Sequence, residues 1–144
     1  MANSLKAFFK ENKKAKANVK YPATESICDE KGNPVEWEIR QLSAEEDEKI
    51  RDECTKEIPI PGKYGMTQMK LDVNRYNELV AAKAIVFPDL FDAGLQDSYG
   101  VKDPGKLLKA LVDNPGEYND LIQFIQKNNG YDPMKPSKVD EAKN

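Results

Sequence analysis

Val35-Glu36-Trp37-Glu38-Ile39-Arg40-Gln41-Leu42-Ser43-Ala44-Glu45-Glu46 is the stretch whose reading decides the fold. Val35, Trp37 and Ile39 alternate with charged residues, the period of a strand with one wet face. Ser43 followed by Glu46 forms a capping box: the hydroxyl accepts from the backbone N–H three residues on, and the carboxylate reaches back to the N–H of the cap. A half-buried strand therefore runs into a helix with no spacer. Nothing in this corner is chemically reactive.

Upstream, the spacing predicts the partner of that strand at Thr24 to Cys28, across a turn at Asp29-Glu30-Lys31-Gly32-Asn33-Pro34, so that 24–42 forms a hairpin. A lone two-stranded hairpin is marginal in water, so it must pack on helices or gain a strand. Before it, Ser4 can cap a short helix with Leu5, Phe8 and Phe9 on one side. Asn12 to Lys20 then reads as a basic linker.

Downstream, a helix is predicted over 44–57. Its apolar stripe is narrow, little more than Ile50, Cys54 and the following Ile58. Glu45 with Lys49, Asp47 with Arg51 and Asp52 with Lys56 are acid-first pairs at four-residue spacing, worth ~0.3 kcal/mol each. Such a charge run reads as a solvated face. Ile58-Pro59-Ile60-Pro61-Gly62 ends the helix, because proline lacks a donor and disfavours helical geometry in its predecessor. Lys63 to Thr67 reads as a loop.

Asp72 caps a longer helix over 72–87, with Val73, Tyr76, Leu79, Val80, Ala84 and Phe87 on one broad face as the centre of the core. Leu90, Phe91 and Leu95 suggest a short helical turn before Tyr99-Gly100. Asp103-Pro104-Gly105 and Asn114-Pro115-Gly116 then each place a cap, a proline at the first helical position and a glycine. They open helices over 104–112 and 115–128, which bury Leu107, Leu108 and Leu111, and Tyr118, Leu121, Ile122 and Ile125. The expected fold is α+β, mainly α: an N-terminal β-hairpin packed on a bundle of about five helices. A short helix and basic linker fill 1–20, one domain fills 21–130, and 131–144, with little to bury, is expected to be disordered.

Composition narrows the function classes. The chain has 144 residues, 33% of them charged, with a net charge of −3 and a pI near 5.2. That balance gives no global attraction to nucleic acid or anionic lipid. Charge is nevertheless polarised: Lys6, Lys10, Lys13, Lys14, Lys16 and Lys20 face the single acid Glu11 near the N-terminus, and acids crowd 45–57. Histidine is absent, which removes the commonest general base and the commonest metal ligand. Cys28 and Cys54 are too few for a disulfide framework or zinc knuckle, and read as small buried or half-buried hydrophobes in a reducing compartment. No run approaches the ~20 apolar residues of a membrane span, nor does the N-terminus read as a signal peptide. Cytoplasmic residence is the default.

Several constellations imitate chemistry. Gly100 to Leu107 has phosphate-loop spacing, but Leu107 stands where magnesium needs a hydroxyl, Asp103 would repel phosphate and Pro104 offers no N–H. Asp89, Asp92 and Asp97 lack the alternating oxygen ligands of a calcium loop. Trp37 could stack on a base, but flanking Glu36 and Glu38 favour a core role. The expectation is no enzyme, catalytic residue, metal or cofactor. The N-terminal lysines could serve nucleic acid, so a small nucleic-acid-binding regulator is the alternative reading, with affinity falling steeply in salt. A small apolar knob of Leu5, Phe8 and Phe9 that docks on another protein or subunit is preferred.

Leu5-Lys6-Ala7-Phe8-Phe9, the corner from Val35 to Glu46, Phe87-Pro88-Asp89-Leu90, Leu95-Gln96-Asp97-Ser98-Tyr99-Gly100 and the closing Asn129-Gly130-Tyr131-Asp132 occur in an order that resembles the XkdN-like tail assembly chaperones of phages and defective prophages. The resemblance runs from about residue 4 to 132. Each motif is an ordinary cap, strand or turn; their order carries the likeness. The resemblance implies a non-enzymatic helper that coats the tape measure protein, delivers it to tail tube subunits in the host cytoplasm, and is absent from the finished virion. It transfers no catalytic residues. Under it, Leu5, Phe8, Phe9 and an exposed strand edge beside Trp37 and Ile39 are the expected contacts with the tape measure or with a second copy, since self-association is open too.

Overall fold

In the computed structural model, which describes residues 4–131, Trp37–Ile39 forms the middle strand of a three-stranded antiparallel sheet. Taking strands and helices in chain order, β1 is Val19–Tyr21 and β2 is Trp37–Ile39, paired as Val19 with Ile39, Lys20 with Glu38 and Tyr21 with Trp37. The expected alternation holds. Trp37 and Ile39 are 1% and 0% exposed, while Glu38 turns to the other face and meets Lys20 at 3.1 Å.

The hairpin expected over 24–42 does not form; β2 pairs instead with Val19 and Lys20, the last two residues of the segment read as linker, and with Tyr21 just after it. The turn itself closes as expected, with Asp29 N–H on Asn33 O at 2.8 Å and Gly32 at a φ of 83°. Only an isolated bridge, Cys28 to Pro34, follows. Upstream of it Thr24 and Glu25 are drawn away: the Thr24 hydroxyl donates to Glu117 at 2.7 Å and the Glu25 N–H donates to the same carboxylate at 2.9 Å. A side-chain anchor thus takes the segment that a strand would need. Cys28 is exposed, contrary to expectation, whereas Cys54 is buried.

Helix α1 runs Ala44–Glu53 with its capping box intact: Ser43 Oγ accepts from Glu46 N–H at 3.1 Å and Glu46 accepts from Ser43 N–H at 3.0 Å. It stops before the expected 57. Thr55–Pro59 becomes β3, paired antiparallel over its full length with β4, Thr67–Leu71, across a loop that uses Gly62 and Gly65 at positive φ. Residues 63–67, read as a loop, therefore end in a strand. Thr55, Ile58 and Ile60 are β-branched, and pairing with β4 outweighs the weak Asp52 to Lys56 helix pair. Lys56 faces Asp72 instead, at 3.8 Å, whereas Asp47 and Arg51 do meet, at 3.3 Å.

Helix α2, Val73–Ala84, also ends early, and Ile85–Phe87 becomes β5 on the far side of β2. Arg40 N–H donates to Ala84 O at 2.9 Å where the register shifts. The β-branched Ile85 and Val86 suit a strand, and β2 supplies a ladder the helix could not. Tyr76, Val80 and Ala84 are buried as expected, while Val73 and Phe87 are exposed because each lies at the rim of the shortened helix or beyond it.

Three further helices follow the sequence closely: α3 at Ala93–Ser98, α4 at Pro104–Leu111 and α5 at Pro115–Asn128. Asp103 and Asn114 cap the last two by accepting from Lys106 and Glu117 N–H, both at 3.0 Å. The architecture is α+β, with five α-helices among the described residues. Helix α2 touches α1, α4, α5 and β5, so it is the hub. Its approach to α4 depends on Gly105, where an added Cβ would lie 3.0 Å from Glu78 Cβ. Trp37, Ile39, Val80, Leu90, Leu107, Leu108, Leu121 and Ile125 fill one core, each burial contributing about 2 kcal/mol. Tyr21 closes one side by stacking on Phe124 of α5 at 4.2 Å between ring centres. The tail expected to be disordered falls, from 132 onward, outside the described residues.

Candidate partner-binding surfaces

Leu5–Phe8 forms a single 3-10 turn, followed by a second at Lys10–Asn12. Ser4 caps the first as expected, accepting from Lys6 N–H at 3.2 Å. A 3-10 turn eclipses side chains and stays short, so it cannot present a long stripe. Leu5, Phe8 and Phe9 are 72%, 78% and 53% exposed, a compact apolar knob with lysines beside it. Residues 13–18 then run exposed and irregular towards β1. Lys16 holds that run to the body, its Nζ donating to Asn128 O at 2.7 Å at the end of α5, where helix carbonyls favour a cation.

The other two expected contact residues lie elsewhere. Trp37 and Ile39 are in the core, and β2 is a central strand, paired with β1 along all three residues and with β5 at Glu38 and Ile39, so their side chains are not available at an open edge. The structure thus splits the expected set: three residues outside, two inside. The open edges belong to β1 and β5.

Two exposed surfaces escaped the sequence reading. The β3–β4 arm carries Tyr64, Met66 and Met69 outward, and Val73 stands at its base. Its signal was present: alternation in Thr55 to Ile60 and again in Thr67 to Leu71, flanking a loop with two glycines. The other surface follows from β5, with Val86, Phe87, Phe91 and Tyr99 exposed. Helical spacing concealed it.

The two carboxyls with the largest shifts are tied into structural pairs, whereas burial alone leads the upward shifts of Tyr21, Cys54 and Tyr118. The Arg40 guanidinium grips Glu46 with both nitrogens, at 3.0 and 2.6 Å, and with the Ser43 N–H it lowers that carboxyl to about 2. Arg75 holds Asp103 in the same forked way, at 2.9 and 2.8 Å; with help from Lys106 N–H, Asp103 also falls to about 2. Arg75 reaches Glu78 at 3.0 Å as well, and its own pKa is raised. Burial, then the hydrogen bond to Asp47, pushes the Tyr76 phenol up to about 12. The Gly100 to Leu107 stretch is closed by its own carboxylate, since Asp103 occupies the helix start that a phosphate would use. Among the described residues no group of three or more His, Cys, Asp or Glu is placed to hold a metal ion, and no helix is long and apolar enough to cross a membrane. What the surface offers is apolar side chains exposed on the N-terminal turns, on the β3–β4 arm and around β5.

A family model described as phage XkdN-like tail assembly chaperone protein matches residues 5–143. The chain belongs to that family. The XkdN-like family comprises phage tail assembly chaperones and is not a known enzyme class. Among its relatives, phage-like element PBSX protein XkdN of Bacillus subtilis (strain 168) is 24% identical over 139 residues, covering 96% of this chain and 93% of its own. The protein YqbN of the same organism is 24% identical over 126 residues, covering 88% and 83%. A crystal structure of YqbN shares the fold, with a TM-score of 0.78 at 20% identity over 92% of this chain and all of that one, 100%.

Proposed function

We propose that this tail assembly chaperone binds the tape measure protein transiently and helps recruit tail tube subunits to it, working in the host cytoplasm and leaving before the virion is complete. The observation that supports this reading is the knob: Leu5, Phe8 and Phe9 exposed together at the end of an irregular run, with none of that turn's residues buried. Three large apolar side chains exposed within five residues of one another form the kind of local patch that marks a contact with another protein. A tape measure is a long helical rod, and an apolar stripe along such a rod is what a short aromatic knob can grip. Trp37 and Ile39 serve indirectly, by fixing the sheet from which the knob's tether departs.

Co-expression with the cognate tape measure protein tests the reading. The wild-type chain should co-purify with it, and the triple variant Leu5→Ser, Phe8→Ser, Phe9→Ser should capture about tenfold less while keeping its thermal transition, because the substituted groups lie outside the core. Equal capture by both chains would overturn the proposed contact. Absence from purified particles, read by mass spectrometry, tests departure.

A further inference from the structure

The β3–β4 arm has edges of its own, and they are not alike. Asp72 N–H donates to Cys54 O at 2.8 Å and Ile60 N–H donates to Met66 O at 3.0 Å, so the pairs that close the two ends of the ladder are hydrogen-bonded. Bonded and unbonded pairs alternate along an antiparallel ladder. The backbone of Lys56 and Ile58 therefore faces Lys70 and Gln68, while that of Thr55, Glu57 and Pro59 on one strand, and of Thr67, Met69 and Leu71 on the other, faces outward. On the β3 side the outward row is blunted, because Pro59 has no N–H to offer. On the β4 side Thr67, Met69 and Leu71 keep every donor and acceptor, and β3 is the one strand partner of β4 among the described residues. Lys70 is the only charge on that strand, and an edge lysine turns away basic strands while admitting acidic ones.

The side chains say what kind of strand fits. Thr67, Met69 and Leu71 share one face of the ladder with Glu57, whose carboxylate accepts from the Thr67 hydroxyl. Gln68 and Lys70 share the other face with Ile58 and Lys56. Lys56 and Lys70 stand directly opposite each other, an arrangement that costs stability. Lys56 has Asp72 at 3.8 Å, and Asp72 also accepts from Arg75 N–H at 3.1 Å; Lys70 makes no ion pair among the described residues. The space beside Lys70 is open, a groove of about 370 Å³ between the arm and Val73 and Asn74 of α2. Of the other charges, Lys63 lies in the bend at the tip, and Asp52 and Glu53 precede the root on α1.

We infer that an extended segment of a partner protein, apolar and acidic in alternation, adds to β4 as a third strand, with its apolar residues along Thr67, Met69 and Leu71 and a carboxylate against Lys70. A basic strand is repelled at Lys70, and an acid on the Met69 face meets Glu57, so charge fixes which face of the incoming strand is which. The contact goes beyond the tape measure reading, in which a knob grips a helical rod: it takes a strand, and Leu5, Phe8 and Phe9 play no part in it.

Titration of the isotope-labelled full chain with a capped synthetic peptide alternating valine and glutamate tests it. Saturation should slow amide exchange at Thr67, Met69 and Leu71 by about tenfold or more. The same peptide with every backbone nitrogen methylated, or with lysine in place of glutamate, should bind about tenfold more weakly. Met69→Pro places on β4 the kind of outward proline that β3 already carries at Pro59, so the ladder survives while the open edge loses a donor, and peptide affinity should fall about tenfold. Lys70→Glu should lose the glutamate peptide and gain the lysine peptide, an exchange of preference that also shows the variant to be folded. The Leu5→Ser, Phe8→Ser, Phe9→Ser chain should bind the peptide as the wild type does, which separates failure here from failure of the tape measure reading. No protection at the outward amides, equal binding of the methylated peptide, an unchanged preference in Lys70→Glu, or loss of the peptide by the knob variant would overturn the inference. So would tighter binding of a helical peptide of leucine and glutamate, which would make the arm a helix site. Protection of the same amides that grows with the chain's own concentration would make a second copy the occupant and overturn it too.

Discussion

The strand β2 and the β3–β4 arm are opposite solutions to the same local problem. β2 is only three residues long, yet it is flanked by strands on both sides and its Trp37 and Ile39 are sealed beneath helices. The arm has five register pairs and hardly a buried side chain. Ladder length is therefore a poor guide to stability, because a hydrogen bond made in water nets little over one made to water, whereas an indole withdrawn from water contributes several kcal/mol. The short strand anchors the molecule. The long pair is free to meet something else.

The largest expected effect comes from exchanging substitutions between these regions. Trp37→Ala should cost about 3–5 kcal/mol and bring the thermal transition down sharply, whereas Met69→Ser on the arm should change stability by no more than ~0.5 kcal/mol. Equal losses in denaturant titrations would erase the contrast. Acid should come next. Glu46 and Asp103 sit at about 2 in the folded chain and near the ordinary carboxylate value of about 4 when unfolded, so each adds stability that is complete above about pH 4 and lost as pH falls through about 2. From these two groups, stability should be flat between about pH 5 and 7 and decline only below about 4. Thermal melts across that range check it, and a decline that begins at pH 6 would assign acid sensitivity elsewhere. The smallest effect belongs to the cap: Ser43→Ala should cost about 1 kcal/mol, confined to the start of α1 and visible as faster amide exchange at Glu46.

What was legible in the sequence was what neighbours along the chain determine. The Ser43 and Glu46 box, the Asp103 and Asn114 caps, and the proline-led starts of α4 and α5 all depend on residues within four positions of one another. Strand partnership does not. Val19-Lys20-Tyr21 alternates for only three residues at the end of a lysine-rich run, too short to name a partner, and Ile85-Val86-Phe87 continues the helical spacing of α2 so well that only the vacant side of β2 decides its conformation. The same limit applied to the candidate contacts. Exposure of Leu5, Phe8 and Phe9 could be foreseen because a short, lysine-bracketed segment has nowhere to bury them. Alternation at Trp37 and Ile39 announces one buried face, but whether the strand is central or lateral depends on residues some twenty positions before it and nearly fifty after.

The contact between Lys16 and the final carbonyls of α5 has a topographical result. It gathers the leading strap and the last helix at one corner of the body, so the end of α5 lies beside the root of the knob's tether. A bulky domain inserted directly after α5 would crowd the knob's own anchorage, and engineered reporters would do better carried in the exposed Gly62 to Gly65 bend.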